Sequence, residues 1–303
     1  MLGKMNSQSE SRSSARWRRV LMFPLVRIVV AILFIAIPFA IVRMPLNLFV
    51  TDKSLRRVGA LLLAAVVLAA YSIYVRVIEK RAVAELSGRR AVRELGSGLA
   101  LGALLFSVTI GLLAALGIYH VTGNNGWQSM LAILAASIFA GVFEEVLIRG
   151  ILFRILEQWL GSWIALSISA VVFGVLHVLN PGATLLNAAA ISVEAGVLLA
   201  AAYMLTRRLW LCIGTHIAWN FTEGGIFSVA VSGGGSQGLL RSRMVGPDWL
   251  TGGAFGAEAS VVALGVCVAA GIVLLVWAFE KGNVVPPSWA GRAAPELKPE
   301  GAA

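Results

Sequence analysis

Residues 127–151 read WQSMLAILAASIFAGVFEEVLIRGI. Almost every position before Glu144 is apolar, and the run has the length of about 20 residues that a helix needs to cross a bilayer. Seven more apolar stretches lie at 24–42, 58–78, 97–119, 163–180, 184–205, 209–230 and 259–279. The chain of 303 residues is 58% hydrophobic and 13% charged, with a mean hydropathy of +0.85. A soluble domain carries nearer one quarter charged residues, roughly twice this fraction. The expected fold is therefore all-α: a polytopic membrane bundle of about eight transmembrane helices, one for each apolar stretch.

Two cysteines, Cys212 and Cys267, both in apolar runs, exclude a disulfide-stapled secreted fold and a zinc ribbon. A formal charge of +10 raises the question of nucleic acid. The distribution of that charge answers it. Of the 25 Lys and Arg residues, 19 fall on alternate segments beginning with the N-terminal one. That is the pattern of topology determinants; it places both termini in the cytoplasm and gives no role to nucleic acid. Arg43, Lys53, Arg56 and Arg57 run against the pattern, and a first stretch that only skimmed the membrane would leave seven crossings. We read that stretch as a retained span, because Arg27 and Pro38 interrupt it and no small-x-small cleavage site follows.

The chain then divides into a disordered basic N-terminus (1–19), N-terminal membrane helices (20–123) and a catalytic helix core (124–230). A Gly-rich external loop (231–258), a last transmembrane helix (259–280) and a cytoplasmic Pro/Ala-rich tail (281–303) follow. Within the second part, residues 79–96 are expected to form a charged amphipathic helix against the cytoplasmic headgroups. No internal repeat of the kind that marks many transporters is present.

Ionisable groups inside a span cost roughly 2.5–3.5 kcal/mol each, so each one calls for a reason. Glu144, Glu145 and Arg149 lie in the fourth stretch, His177 in the fifth, Glu194 in the sixth, and His216 with Asn220 in the seventh. Glu145 and Arg149 are four apart with the acid first, the favourable order for an intrahelical ion pair. Their expected role is support, leaving Glu144, about 100° around the helix, to face the interior. If the fourth helix ended at Gly150, Glu144 would lie only about 9 Å into the membrane and His177 about 21 Å. A helix continuing to about residue 158 lifts Glu144 to roughly 21 Å, so a long fourth helix with Arg149 inside the bundle is expected. His216 remains lower, at about 10 Å, and needs helix tilt or a funnel to join them.

One carboxylate, two imidazoles and an amide suit amide hydrolysis. Glu144 accepts a proton from water, one histidine orients that water, and the other histidine with the asparagine donates to the developing oxyanion. Glu144, His177 and His216 also make a His₂Glu set of the type that binds zinc, with water as a fourth ligand. No HExxH is present, and the residues do not choose between the metal and metal-free forms. Cys212 reads as packing. His120, beside TGNNG, reads as a solvated loop histidine. Glu194 is open between a cavity-lining acid and a paired structural one.

Glu144-Glu145-x-x-x-Arg149, Phe173-x-x-x-His177 and His216-x-x-x-Asn220, in that order on separate apolar spans, resemble the CPBP (Abi) intramembrane endopeptidases, which include the type II CAAX prenyl proteases. The likeness extends to RGILFRIL, HVLNP and LWLCIGTHIAWNF and covers about residues 130–225. It implies that Glu144 activates water held by His177, that His216 and Asn220 form the oxyanion site, and that Glu145 and Arg149 support the first motif. It leaves the metal open. Cys212 stands where proline is common in the family, and Glu194 has no place in its pattern.

The resulting expectation is an intramembrane endopeptidase acting on a membrane-associated peptide or protein in a bacterial cytoplasmic membrane. CAAX substrates presuppose prenylation, which this Ala/Arg/Gly-rich composition does not suggest. A non-proteolytic scaffold or self-immunity protein of the same family is the alternative. An ion-coupled transporter is disfavoured by the lack of repeats and of Gly/Pro-broken helix pairs.

Overall fold

The computed structural model describes residues 20–290. Its helices are α1 (Pro24–Phe49), α2 (Lys53–Val77), α3 (Ala91–Ala115), α4 (Trp127–Leu160), α5 (Ser162–Leu179), α6 (Leu185–Thr206), α7 (Leu209–Asn220) and α8 (Val261–Glu280). All but α7 are long and apolar enough to cross a membrane, seven among the described residues. The chain is an integral, multi-pass membrane protein.

The missing eighth has a physical reason. α7 continues through a π-helical turn, Phe221–Ile226, and the two together carry Thr215, His216, Asn220, Thr222 and Glu223. Every residue from Leu209 to Asn220 except Trp210 is buried. A helix surrounded by helices has no lipid-facing side, and so polar residues on it meet protein, where they find partners. α1 is the opposite case. Val29, Ile32, Leu33, Ile37 and Ile41 are exposed where lipid would lie, and only Ile28, Ala31 and Ile35 are buried. It runs unbroken through Pro38 and Pro45 for 26 residues, long enough to span.

α7 is held closest by α3. A Cβ at Gly98 would lie 2.3 Å from the Leu211 carbonyl oxygen, and one at Gly102 would lie 2.1 Å from that of Thr215. Only glycine permits this approach, and the Gly-x-x-x-Gly spacing puts both on one face of α3. α4 runs to Leu160 as the depth arithmetic required. Its stretch Val146–Phe153 is π-helical, with wider i→i+5 turns of the kind that recur at functional sites.

The two ends of the bundle differ from expectation. Residues 79–96 do not form one helix on a membrane surface: short 3₁₀ turns at Ala84–Leu86 and Gly88–Arg90 lead into α3. Ion pairs fold the segment inward. The Glu79 carboxylate accepts from Arg27 at 2.6 Å, Arg81 at 2.7 Å and Arg154 at 2.9 Å, tying α1, this segment and α4 together. Glu85 pairs with Arg81, Glu94 with Arg208, and Glu157 with Arg207. At the other end the Gly-rich segment is more than a loop. Its strand β2 (Leu240–Met244) pairs antiparallel with β1 (Tyr119–Asn124), which carries His120. A helical turn at Asp248–Thr251 and a 3₁₀ turn at Ala257–Ala259 then lead into α8. The basic N-terminus (1–19) and the tail from 291 onward lie outside the described residues.

Candidate active site

α4, α5 and α7 bring the three motifs together in the middle of the bundle. Arg149, fully buried on the π-helical stretch, donates to Glu145 Oε1 at 2.9 Å, the ion pair that the four-residue spacing predicts. Its other amino group donates to the carbonyl oxygens of Ala195 at 3.1 Å and Gly196 at 3.2 Å, which lie on a π-helical turn of α6. The guanidinium also sits 4.7 Å from the centre of the Phe173 ring. That ring is 4.7 Å from the His177 ring and stands edge-on to His216 at 6.2 Å. Phe173, the first residue of the second motif, thus packs against a charged or polar member of each of the three motifs.

Glu145 is more than a partner for Arg149. His216 Nδ1 lies 2.9 Å from the same Oε1, so Nδ1–H donates to the carboxylate and the ring is turned to aim Nε2 outward. That Nε2 is 3.8 Å from Glu144 Oε2. The depth gap that the sequence left for His216 is closed. In the neighbouring motif, His177 Nδ1 donates to the Phe173 carbonyl at 2.8 Å, which leaves its Nε2 as an acceptor. Glu144, Glu145, Arg149 and an imidazolium at His216 would sum to zero charge, the condition under which ions are tolerable in such a place.

Two spaces meet at this cluster. An open groove of about 230 Å³ is lined by Phe143, Glu144, Leu147, Leu176, His177 and Asn180. A smaller cavity of about 30 Å³ has His177, His216, Asn220, Glu194, Ser232 and Glu258 on its walls. Phe173 and His177 belong to both, standing between them. Glu144 faces the groove with its side chain 30% exposed, against 0% for Glu145. The candidate zinc set is not gathered as one. Among the described residues no group of three or more His, Cys, Asp or Glu side chains is arranged to hold a metal ion.

The sequence reading missed part of the polar interior. Glu194 faces the smaller cavity as an unpaired acid, 1% exposed, and two further buried acids, Glu223 and Glu258, stand with it. Glu223 lies inside the stretch 209–230, and the same rule that found Glu194 applies to it. Glu258 precedes the last apolar run and carries no such signal. It lies outside the spans, and burial pushes its carboxyl above the usual range. Cys212 is buried packing, its thiol donating to the Leu209 carbonyl.

Residues 125–222 match the family model described as type II CAAX prenyl endopeptidase Rce1-like. The match begins just before α4 and ends just past Asn220, so all seven motif residues fall inside it. No match was found among curated proteins or among solved structures. The likeness is confined to the α4–α7 core that carries the three motifs, about a third of the chain, and the first three helices and the last lie outside it.

Proposed function

We propose that this protein is an intramembrane endopeptidase that hydrolyses a peptide bond of a membrane-associated peptide or protein. One observation carries the reading: a groove-facing Glu144 carboxylate lies 3.8 Å from a His216 ring that the buried Glu145–Arg149 pair orients. Glu144 Oε2 has no hydrogen-bond partner, which leaves it able to accept a proton.

In the mechanism, a water between Glu144 and His177 gives one proton to the Glu144 carboxylate while its oxygen attacks the scissile carbonyl carbon. His177 holds that water through its accepting Nε2. The negative charge that forms on the carbonyl oxygen is met by His216 Nε2–H and the Asn220 amide. Glu145 holds the proton on His216 Nδ1, so the ring donates from the other side. Glu144 then hands its proton to the departing amine as the C–N bond breaks. No step runs through a metal, because Glu144, His177 and His216 are not arranged as ligands. α7 and its π-helical turn still carry the chain from the end where Arg207 and Arg208 pair with Glu157 and Glu94 to the end that bears β2. With that eighth traverse, both termini are assigned to the cytoplasmic side of a bacterial membrane, on which 19 of the 25 basic residues fall.

The test compares protein termini in cells carrying the wild type, Glu144→Gln and His216→Ala. Both substitutions should remove the same set of membrane-peptide cleavage products. An unchanged set of termini overturns the reading and favours a scaffold or self-immunity role. A zinc chelator added to the purified wild type should leave cleavage intact; loss restored by zinc would replace the metal-free mechanism.

A further inference from the structure

Arg27, Arg81, Arg154, Arg207 and Arg208 each pair with a carboxylate at the end of the bundle that carries Glu79. The start of α2, at the opposite end, is arranged differently. Lys53, Arg56 and Arg57 lie in its first two turns, and among the described residues none of the three is in an ion pair. Asp52, the acid beside them in sequence, is engaged with the helix itself. Its carboxylate accepts from the backbone N–H groups of Ser54 and Leu55, each at 2.9 Å. Arg56 Nε donates to the Val50 carbonyl oxygen at 2.8 Å, and Arg57 Nε is buried without a hydrogen-bond partner. Two rules speak against cations at this place. A helix N-terminus carries partial positive charge and repels them. Basic residues on the side opposite the termini also oppose the positive-inside pattern. Charges that cost the fold twice call for a partner from outside the chain.

The space beside them narrows what that partner is. A groove of about 280 Å³ is lined by the three cations and Ala60 of α2 and by Ala132, Ala135 and Ala136 of α4. The volume lies near the lower end of the roughly 300–1,000 Å³ of small-molecule sites, enough for a phosphate and the glycerol attached to it. No acid and no neutral polar side chain lines the groove, only cations and methyl groups. Both helices run on as apolar spans, with Leu61 and Leu62 of α2 and Leu131 and Leu134 of α4 exposed where lipid would lie. A ligand that fits is anionic at one end and apolar at the other, with its anion at the level where a span begins. A soluble phosphate meets only the first of these conditions. A zwitterionic phospholipid brings a cation of its own beside the phosphate, which three unpaired cations repel. A phospholipid with a net negative headgroup meets them all.

We propose that Lys53, Arg56 and Arg57 bind the headgroup phosphate of an anionic phospholipid whose acyl chains lie along the apolar surface of α2 and α4. The two guanidinium groups suit a phosphate because each offers a planar fork of donors, and the lysine adds a point charge. The lipid supplies at this end of the bundle the negative charge that Glu79, Glu94 and Glu157 supply at the other. It also joins α2 to α4, the helix that carries Glu144. The inference is independent of the endopeptidase reading, since this groove shares no lining residue with the one at Glu144.

The test counts bound lipid by native mass spectrometry. Full-length protein in a neutral detergent is titrated with dioctanoyl phosphatidylglycerol or dioctanoyl phosphatidylcholine, each with and without inorganic phosphate. Phosphatidylglycerol should bind about tenfold or more tightly than phosphatidylcholine, since each basic residue near an anionic headgroup adds several-fold. Equimolar inorganic phosphate should not displace it. Arg56→Gln with Arg57→Gln should bring the ratio of the two affinities close to one. Arg241→Gln with Arg243→Gln removes the same charge from β2, which does not line the groove, and should leave the ratio unchanged. Ala136→Leu keeps every charge and narrows the groove; it should weaken phosphatidylglycerol binding several-fold, and it stands as the test if the paired arginine change impairs folding. Equal binding of the two lipids overturns the site. So does a ratio that survives loss of Arg56 and Arg57 or falls equally with Arg241 and Arg243, and so does undiminished binding by Ala136→Leu. Displacement by inorganic phosphate overturns the lipid as the occupant.

Discussion

Glu144 and Glu79 are both glutamates pressed into a helical bundle, and their surroundings make them opposites. Glu79 sits at the bundle's end with three arginines around it, drawn from α1, α4 and its own segment. Glu144 sits mid-bundle with its neighbour Glu145 consuming the available cations, and keeps an oxygen without a hydrogen-bond partner. Both oxygens of Glu79 accept from arginines, whereas Glu144 and Glu145 each keep an oxygen without a hydrogen-bond partner. A saturated ion network fixes helices relative to one another and offers nothing to a substrate. The unsaturated one retains a proton acceptor on Glu144, with the Glu145–Arg149 ion pair behind it. The comparison teaches that pairing, rather than burial or charge, separates the structural acids of this protein from the chemical ones.

The sharpest way to break that division is Glu144→Gln. It removes the proton acceptor and no ion pair of the first motif, so cleavage of a membrane peptide should fall by about 10²–10⁴-fold, the span of general-base catalysis. The melting temperature in detergent should stay close to that of the wild type. A large loss of stability would mean that Glu144 belongs with Glu79 as a structural residue.

Arg154→Met is the converse. Its side chain is 5% exposed and pairs with Glu79, with Glu85 also within 3.5 Å. Removing one member of a buried ion network leaves acids uncompensated and costs about 3–5 kcal/mol. Stability measured by denaturant or heat should drop by that order, while cleavage per folded molecule is kept. Loss of turnover at unchanged stability would place this end of the bundle in the chemistry.

Much of this division was legible in the residues themselves. Scarcity of charge made Glu144, Arg149, His177 and His216 visible. The four-residue spacing gave the Glu145–Arg149 pair, and matching depths gave a long α4. Local spacing did not show that His216 also binds Glu145, because that contact joins residues 71 apart and depends on how α7 seats between its neighbours. Nor does sequence periodicity distinguish an α-turn from a π-turn, which is how the segments bearing Arg149, Glu194 and Glu223 escaped it. Residues 79–96 failed for a related reason. Their charges read as a solvated helix face, yet Glu79, Glu85 and Glu94 turn inward to arginines from distant helices. The β1–β2 ladder joins strands more than 100 residues apart, and a Gly-rich stretch carries no strand signal of its own.

The smallest effect calls first for a change of solvent. Burial by itself would push the Glu79 carboxyl up, but Arg154, Arg27 and Arg81 together outweigh it and hold the group at about 2, below its ordinary 4.5. A carboxyl whose pKa is lower in the folded protein contributes stability that is fully present above its unfolded value and is lost as pH falls through the folded one. This contribution should therefore be constant from neutral pH down to about 5 and disappear between 4.5 and 2. Melting curves in detergent across that window should show the wild type losing stability with acid. Glu79→Gln should start lower at neutral pH and lose less over the same window, since an amide has no proton to gain. If the two curves fell in parallel, the arginines around Glu79 would not be stabilising its charge. The paired end of the bundle would then no longer serve as the structural standard against which Glu144 is judged.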